Sequence, residues 1–176
     1  MGQVVSEYAA NADPSTTAAL QVYVYGSYID EPLMKVDSSG DKLYYHTNRQ
    51  FSVTALTNAS GGVVERYAYT AYGVTTTLAP TGSPARATSS VDNRYMYTGR
   101  RLDHEFASSS EDTIYYYRAR YHDPHLGRFL GRDPMGYVDG MSVYAYYAGM
   151  RGVRDPNGLF IFEEEEEEEE RDGEHG

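Results

Sequence analysis

Asp133 and Asp155 are the residues of this chain whose type and spacing best suit shared acid–base chemistry. Each opens a near-identical tetrapeptide, Asp133-Pro134-Met135-Gly136 and Asp155-Pro156-Asn157-Gly158, and the second runs on into Leu159. Eighteen residues, Tyr137 to Arg154, separate the two. Asp at the first position of such a turn accepts hydrogen bonds from the turn backbone, Pro pre-sets the second position, and Gly suits the last. The spacing leaves two readings open. Brought together by the fold, the carboxyls can share a proton and activate a water. Left apart, they are turn formers.

The remaining candidates point to packing rather than chemistry. His122, Asp123 and His125 contain metal-ligand types, but Pro124 between the histidines prevents a regular helical pairing and no third ligand lies near in sequence. A surface turn is expected there, with no metal and no cofactor. Arg118 and Arg120 alternate with Tyr117, Ala119 and Tyr121. In an extended strand they share a face, where pairing with acids or stacking on tyrosine is expected.

Composition narrows the classes. The chain has 176 residues with 19 Tyr, 17 Gly, 7 Pro, no Trp and no Cys. Tyrosine favours strands and half-exposed surfaces. Zero Cys excludes disulfides and thiolate metal sites. The net charge of −11 is carried mostly by the end of the chain, where Phe160 to Gly176 hold ten acids and one Arg. The body is nearly neutral and has no basic stripe to neutralise phosphates, so nucleic acid is not an expected partner. No apolar run approaches a membrane span. Met1 to Asn11 show no signal-peptide pattern. Glu163 to Glu170 form an unbroken acidic run, expected to remain solvated and disordered.

The elements that must position the two acids read as strands and turns. Residues 1–19 are a polar lead-in. Leu20 to Tyr25 is a strand candidate. Ser39-Gly40 and Ser60-Gly61 each precede a tyrosine-bearing strand 21 residues apart, which suggests a repeated hairpin unit. Residues 73–93 read as a long loop. Strand signals return at Arg94 to Gly99 and most strongly at Thr113 to Tyr121, expected in the interior of a sheet. Met141 to Gly149 is the best candidate for one short helical segment.

The run from Tyr116 through Arg118-Ala119-Arg120-Tyr121-His122-Asp123-Pro124, Gly127-Arg128-Phe129-Leu130-Gly131-Arg132-Asp133-Pro134-Met135-Gly136, Ser142 to Tyr146 and Asp155-Pro156-Asn157-Gly158-Leu159 resembles the RHS repeat-associated core domain. The hairpins at 36–73 look like the YD repeats that precede such a core. The resemblance implies an all-β fold: antiparallel hairpins of an RHS shell (20–93), a core (94–159) that turns inward as a plug, and an acidic tail (160–176). It also implies autoproteolysis of aspartyl type, acting only on the chain itself. Carried onto this sequence, the acid pair is Asp133 and Asp155, Arg132 is a candidate to orient them, and the scissile bond is Leu159–Phe160. The implied partners are further RHS repeats or other copies of the chain. The implied setting is a secreted or cell-surface protein of a bacterium. The 17 residues beyond Leu159 are too few for a toxin domain, so the cargo is expected to be absent and the chain to be a fragment, a degenerate copy or a core without cargo. The alternative is a non-catalytic, tyrosine-rich adhesion or self-associating module built from the same repeats.

Overall fold

The computed structural model describes residues 4–103, 114–138, 140–146, 153–155, 157–159 and 162–163. It is built almost wholly of antiparallel sheet, as the strand-and-turn composition predicts. The first sheet is a meander in chain order: β1 (Ser6–Glu7), β2 (Gln21–Tyr25), β3 (Pro32–Asp37), β4 (Lys42–Thr47), β5 (Val53–Asn58), β6 (Val63–Tyr69), β7 (Thr75–Leu78) and β8 (Ala85–Arg86). Residues 6–7 of the expected lead-in therefore pair with β2, and the expected loop at 73–93 contributes two strands.

Turn chemistry explains the repeat. At the β3–β4 turn Asp37 Oδ1 accepts from the backbone N–H groups of Ser39 and Asp41, and Gly40 takes a φ of +85°. At the β5–β6 turn Asn58 Oδ1 accepts from those of Ser60 and Gly62, and Gly61 takes a φ of +78°. The same short acceptor and the same left-handed glycine close both hairpins.

Period-two alternation then buries one face of the sheet. The buried row carries Gln21, Tyr23, Lys35, Tyr45, Leu56, Glu65, Tyr67 and Thr77. The segment from Ser89 to Gly99 lies across it. Lys35 Nζ donates to the carbonyls of Val91 and Asp92, Gln21 Nε2 donates to Asp92, and Tyr45 donates to Asn93 Oδ1 at 2.8 Å. Glu65 accepts from Ser89, Ser90 and Tyr67. Burial would raise the Glu65 carboxyl, but these hydrogen bonds outweigh it and hold it below its usual range. The buried polar groups thus specify where the covering segment sits. The strand expected at Arg94 to Gly99 does not form. The segment instead makes an isolated bridge from Tyr95 to Arg101 and a 3-10 turn, Tyr97–Gly99.

The second sheet has four strands in the order β12-β11-β10-β9: β9 (Arg101–Asp103), β10 (Ile114–Tyr117), β11 (Arg120–Asp123) and β12 (Arg128–Phe129). The stretch expected to form one strand, Thr113 to Tyr121, is two. Arg118, at φ +59°, and Ala119 turn the chain, and Tyr117 pairs with Arg120 across a tight hairpin. An unbroken run of strand-forming side chains hid this turn. Leu102, Tyr115, His122 and Phe129 lie in register across the sheet and are buried. They join Tyr23, Tyr45, Tyr67, Tyr95, Tyr97, Tyr117 and Tyr146 in one aromatic core. Tyrosine serves here because its ring fills the core while its hydroxyl finds a partner, as in Tyr117–Tyr146 at 2.6 Å and Tyr25–Tyr95 at 2.7 Å.

A last pair, β13 (Val153–Arg154) and β14 (Phe162–Glu163), brackets the end of the core. The expected helical stretch from Met141 carries turns and a bridge, Ala145 to Arg128, as far as Tyr146. Residues 147–149 lie outside the described residues, as do those beyond Glu163, where the disordered tail was expected.

Candidate functional site

The two turn aspartates meet on one guanidinium. Arg120, the first residue of β11, extends between the two Asp-Pro turns, with Nη1 2.8 Å from Asp133 Oδ2 and Nη2 2.8 Å from Asp155 Oδ2. All three side chains are buried: Arg120 is 3 % exposed and each aspartate 6 %. The guanidinium plane also lies over the Phe129 ring, 3.8 Å from its centroid.

The other oxygen of Asp133 does what the tetrapeptide predicts, and that of Asp155 reaches one residue past its tetrapeptide. Asp133 Oδ1 accepts the Met135 N–H at 2.8 Å, and Gly136 N–H closes the turn on the Asp133 carbonyl. Asp155 Oδ1 accepts the Leu159 N–H at 2.9 Å. The fold thus brings the two aspartates together on Arg120 while each still bonds its local backbone. One oxygen forms the turn and the other joins a pair. The turn fixes each carboxylate's direction, and Arg120 offsets the cost of bringing two negative charges together away from water.

Backbone contacts seat the second turn. Asn157 C=O accepts from Ala119 N–H at 3.3 Å, and Gly158 sits against the β10–β11 turn with a φ of +68°. A Cβ at Gly158 would lie 2.3 Å from the Tyr117 carbonyl oxygen, so only glycine permits this approach. Leu159 is half-buried. Phe160, on the far side of the expected cleavage bond, lies outside the described residues.

Arg132, the expected orienting residue, is exposed. Arg120 holds the position between the carboxylates. Pairing with acids was one of the two outcomes expected of Arg120, but which acids it meets was not legible, because the hairpin turn at 118–119 redirects both arginines. Arg118 instead pairs with Asp30, Nη2 to Oδ1 at 2.5 Å. Arg100 pairs with the same Asp30 and donates through Nη2 to the Asp155 carbonyl at 2.9 Å.

The histidines divide. His125 is exposed, as expected of a surface turn. His122 is instead fully buried, stacked on Tyr146 with ring centroids 3.8 Å apart. Neither ring nitrogen has a hydrogen-bond partner among the described residues. Burial drives its pKa down to about 3, so the ring is neutral. The period-two register beside Pro124 turned it inward.

No family model matches the chain. Among curated proteins, the tRNA nuclease WapA of Bacillus subtilis is 34% identical over 146 residues, covering 79% of this chain and 5% of that protein. The toxin subunit YenC1 of Yersinia entomophaga is 35% identical over 69 residues, covering 39% of this chain and 6% of that one. The chain thus spans about a twentieth of the length of these relatives. Among solved structures, the TcdB2-TccC3 crystal structure superposes with a TM-score of 0.60 at 21% identity, over 82% of this chain and 7% of that one. The Photorhabdus luminescens Tc holotoxin pore gives 0.61 at 20% identity, over 86% and 7%. Fold and sequence likeness together are consistent with an RHS-related domain of the kind found within large toxins.

Proposed function

We propose that the chain is the closing core of an RHS-type β shell and that it cuts itself after Leu159. The observation that carries this reading is the burial of Asp133 and Asp155 on one guanidinium, with Asp155 also holding the Leu159 amide. The acid pair and the residue preceding the cut are then one constellation rather than two distant turns.

The chemistry asks one carboxylate to take a proton from a water as its oxygen attacks the Leu159 carbonyl carbon. The other, carrying a proton, delivers it to the departing Phe160 nitrogen. In the resting arrangement all four carboxylate oxygens are engaged, two by turn N–H groups and two by Arg120. One Oδ2 must leave Arg120 to take up the proton. Arg120 therefore holds the pair together at rest, and its movement exposes the acid. The chain's own core already buries the pair and so supplies the dry surroundings it requires.

WapA's nuclease activity is named for proteins of which this chain spans about a twentieth. The nearly neutral body of this chain supports a scaffold role instead. Intact-mass measurement of the purified chain, held for days near neutral pH, tests the proposal. Loss of the Phe160–Gly176 peptide is expected. A chain that stays whole leaves a scaffold without self-cleavage.

A further inference from the structure

The cleavage loop is tied to the eight-stranded sheet through Asp30, which lies in the β2–β3 connection. Its side chain is 9 % exposed and its carboxylate meets two arginines. Arg118 grips it through both nitrogens, Nη1 to Oδ2 at 3.0 Å and Nη2 to Oδ1 at 2.5 Å. Arg100 is the second partner. Two arms run from Asp30 to the loop. Arg100 reaches the Asp155 carbonyl directly. Arg118 belongs to the turn whose Ala119 N–H donates to Asn157 and against whose Tyr117 carbonyl Gly158 rests. Asp30 itself takes a φ of +99°, and its carbonyl lies where a Cβ on Gly99 would sit at 2.0 Å. The backbone is held in a costly conformation and packs closely against Gly99.

We infer that Asp30 is a positioning residue for the cleavage loop: by fixing Arg100 and Arg118 it sets Asp155 and Leu159 in place, so that the cut requires the repeat sheet. The inference rests on the self-cleavage reading for its consequence, but its geometry can be tested separately. It makes the scissile loop competent only when the repeat sheet has folded against the core. A shell would then be cut after it is built.

Two measurements decide it. In the Asp133→Asn chain, which keeps the loop covalently intact, hydrogen exchange is followed with and without Asp30→Asn. Asparagine keeps the size of the residue and tolerates positive φ. Protection of the Ala119 and Leu159 amides is expected to fall by about tenfold or more while amides of β5 and β6 keep theirs. Equal protection at the loop overturns the inference, and so does a uniform loss across the sheet, which is plain destabilisation. If Asp30→Asn does not fold, Arg118→Gln removes one arm and takes the same test. In the otherwise wild-type chain, Asp30→Asn is expected to release Phe160–Gly176 about ten to a hundred times more slowly, with Asp30→Glu recovering part of the rate. An unchanged rate overturns the inference. A wild-type chain that never cuts defeats the self-cleavage reading alone, and the exchange result still decides whether Asp30 positions the loop.

Discussion

Asp155 Oδ1 accepts the backbone N–H of Leu159 at 2.9 Å while Oδ2 of the same carboxylate pairs with Arg120. A single side chain thus defines the loop before the proposed cut and anchors that loop to the core. The consequences can be measured one residue at a time.

Asp133→Asn and Asp155→Asn are each expected to abolish release of Phe160–Gly176. An amide can neither carry the ionised charge nor deliver the proton. The chain also contains four Asp-Pro bonds, at Asp13, Asp123, Asp133 and Asp155, which are prone to plain acid hydrolysis. The mass of the released peptide separates the outcomes. A peptide beginning at Phe160 from wild type and from neither variant supports the pair, and release from either variant counts against it.

Arg120→Leu is expected to destabilise the fold by roughly 3–5 kcal/mol, because two buried carboxylates lose their shared counter-charge. Arg120→Lys is expected to recover only part of this, since an ammonium cannot present two parallel donors to two acids. Urea midpoints of the three proteins check the order. A Leu variant as stable as wild type would show that the pair does not depend on Arg120.

Gly158→Ala is expected to unseat the loop. The new Cβ meets the Tyr117 carbonyl at 2.3 Å, and φ is +68°. The conformational strain alone is of order 1–3 kcal/mol. Loss of Ala119 amide protection, with the β4–β5 pairing intact, would be the sign. Gly136 is also at positive φ, but among the described residues no atom lies within 4 Å of where its Cβ would stand. It should accept alanine with a smaller penalty.

His122 gives the core a pH dependence. Burial lowers its folded pKa to about 3 from an ordinary 6.5. The unfolded chain takes up the proton first as pH falls, so stability is full above the unfolded value and is lost progressively between 6.5 and 3. The full slope is about 1.4 kcal/mol per pH unit. Between about pH 7 and pH 5.5, before most carboxylates titrate, the wild-type urea midpoint is expected to drop, and that of His122→Phe to drop less. Parallel changes in the two proteins would rule out His122 as the cause.

The sequence by itself determined the strand class, the two Asp-Pro turns and the hairpin repeat. These depend on contacts within a few residues: alternating tyrosines, a short acceptor two to four residues before its N–H donors, and a glycine at positive φ. It also indicated that Arg118 and Arg120 pair with acids or stack on tyrosine. Tertiary structure decided which acids, because the turn at Arg118-Ala119 sends Arg118 to Asp30 and Arg120 to Asp133 and Asp155, 88, 13 and 35 residues away in the chain. It placed Arg132 at the surface and His122 in the core. The reason is physical. A turn is fixed by local hydrogen bonds and backbone preference, whereas a buried ion pair exists only where distant segments exclude water together, and no local pattern records which segments those are.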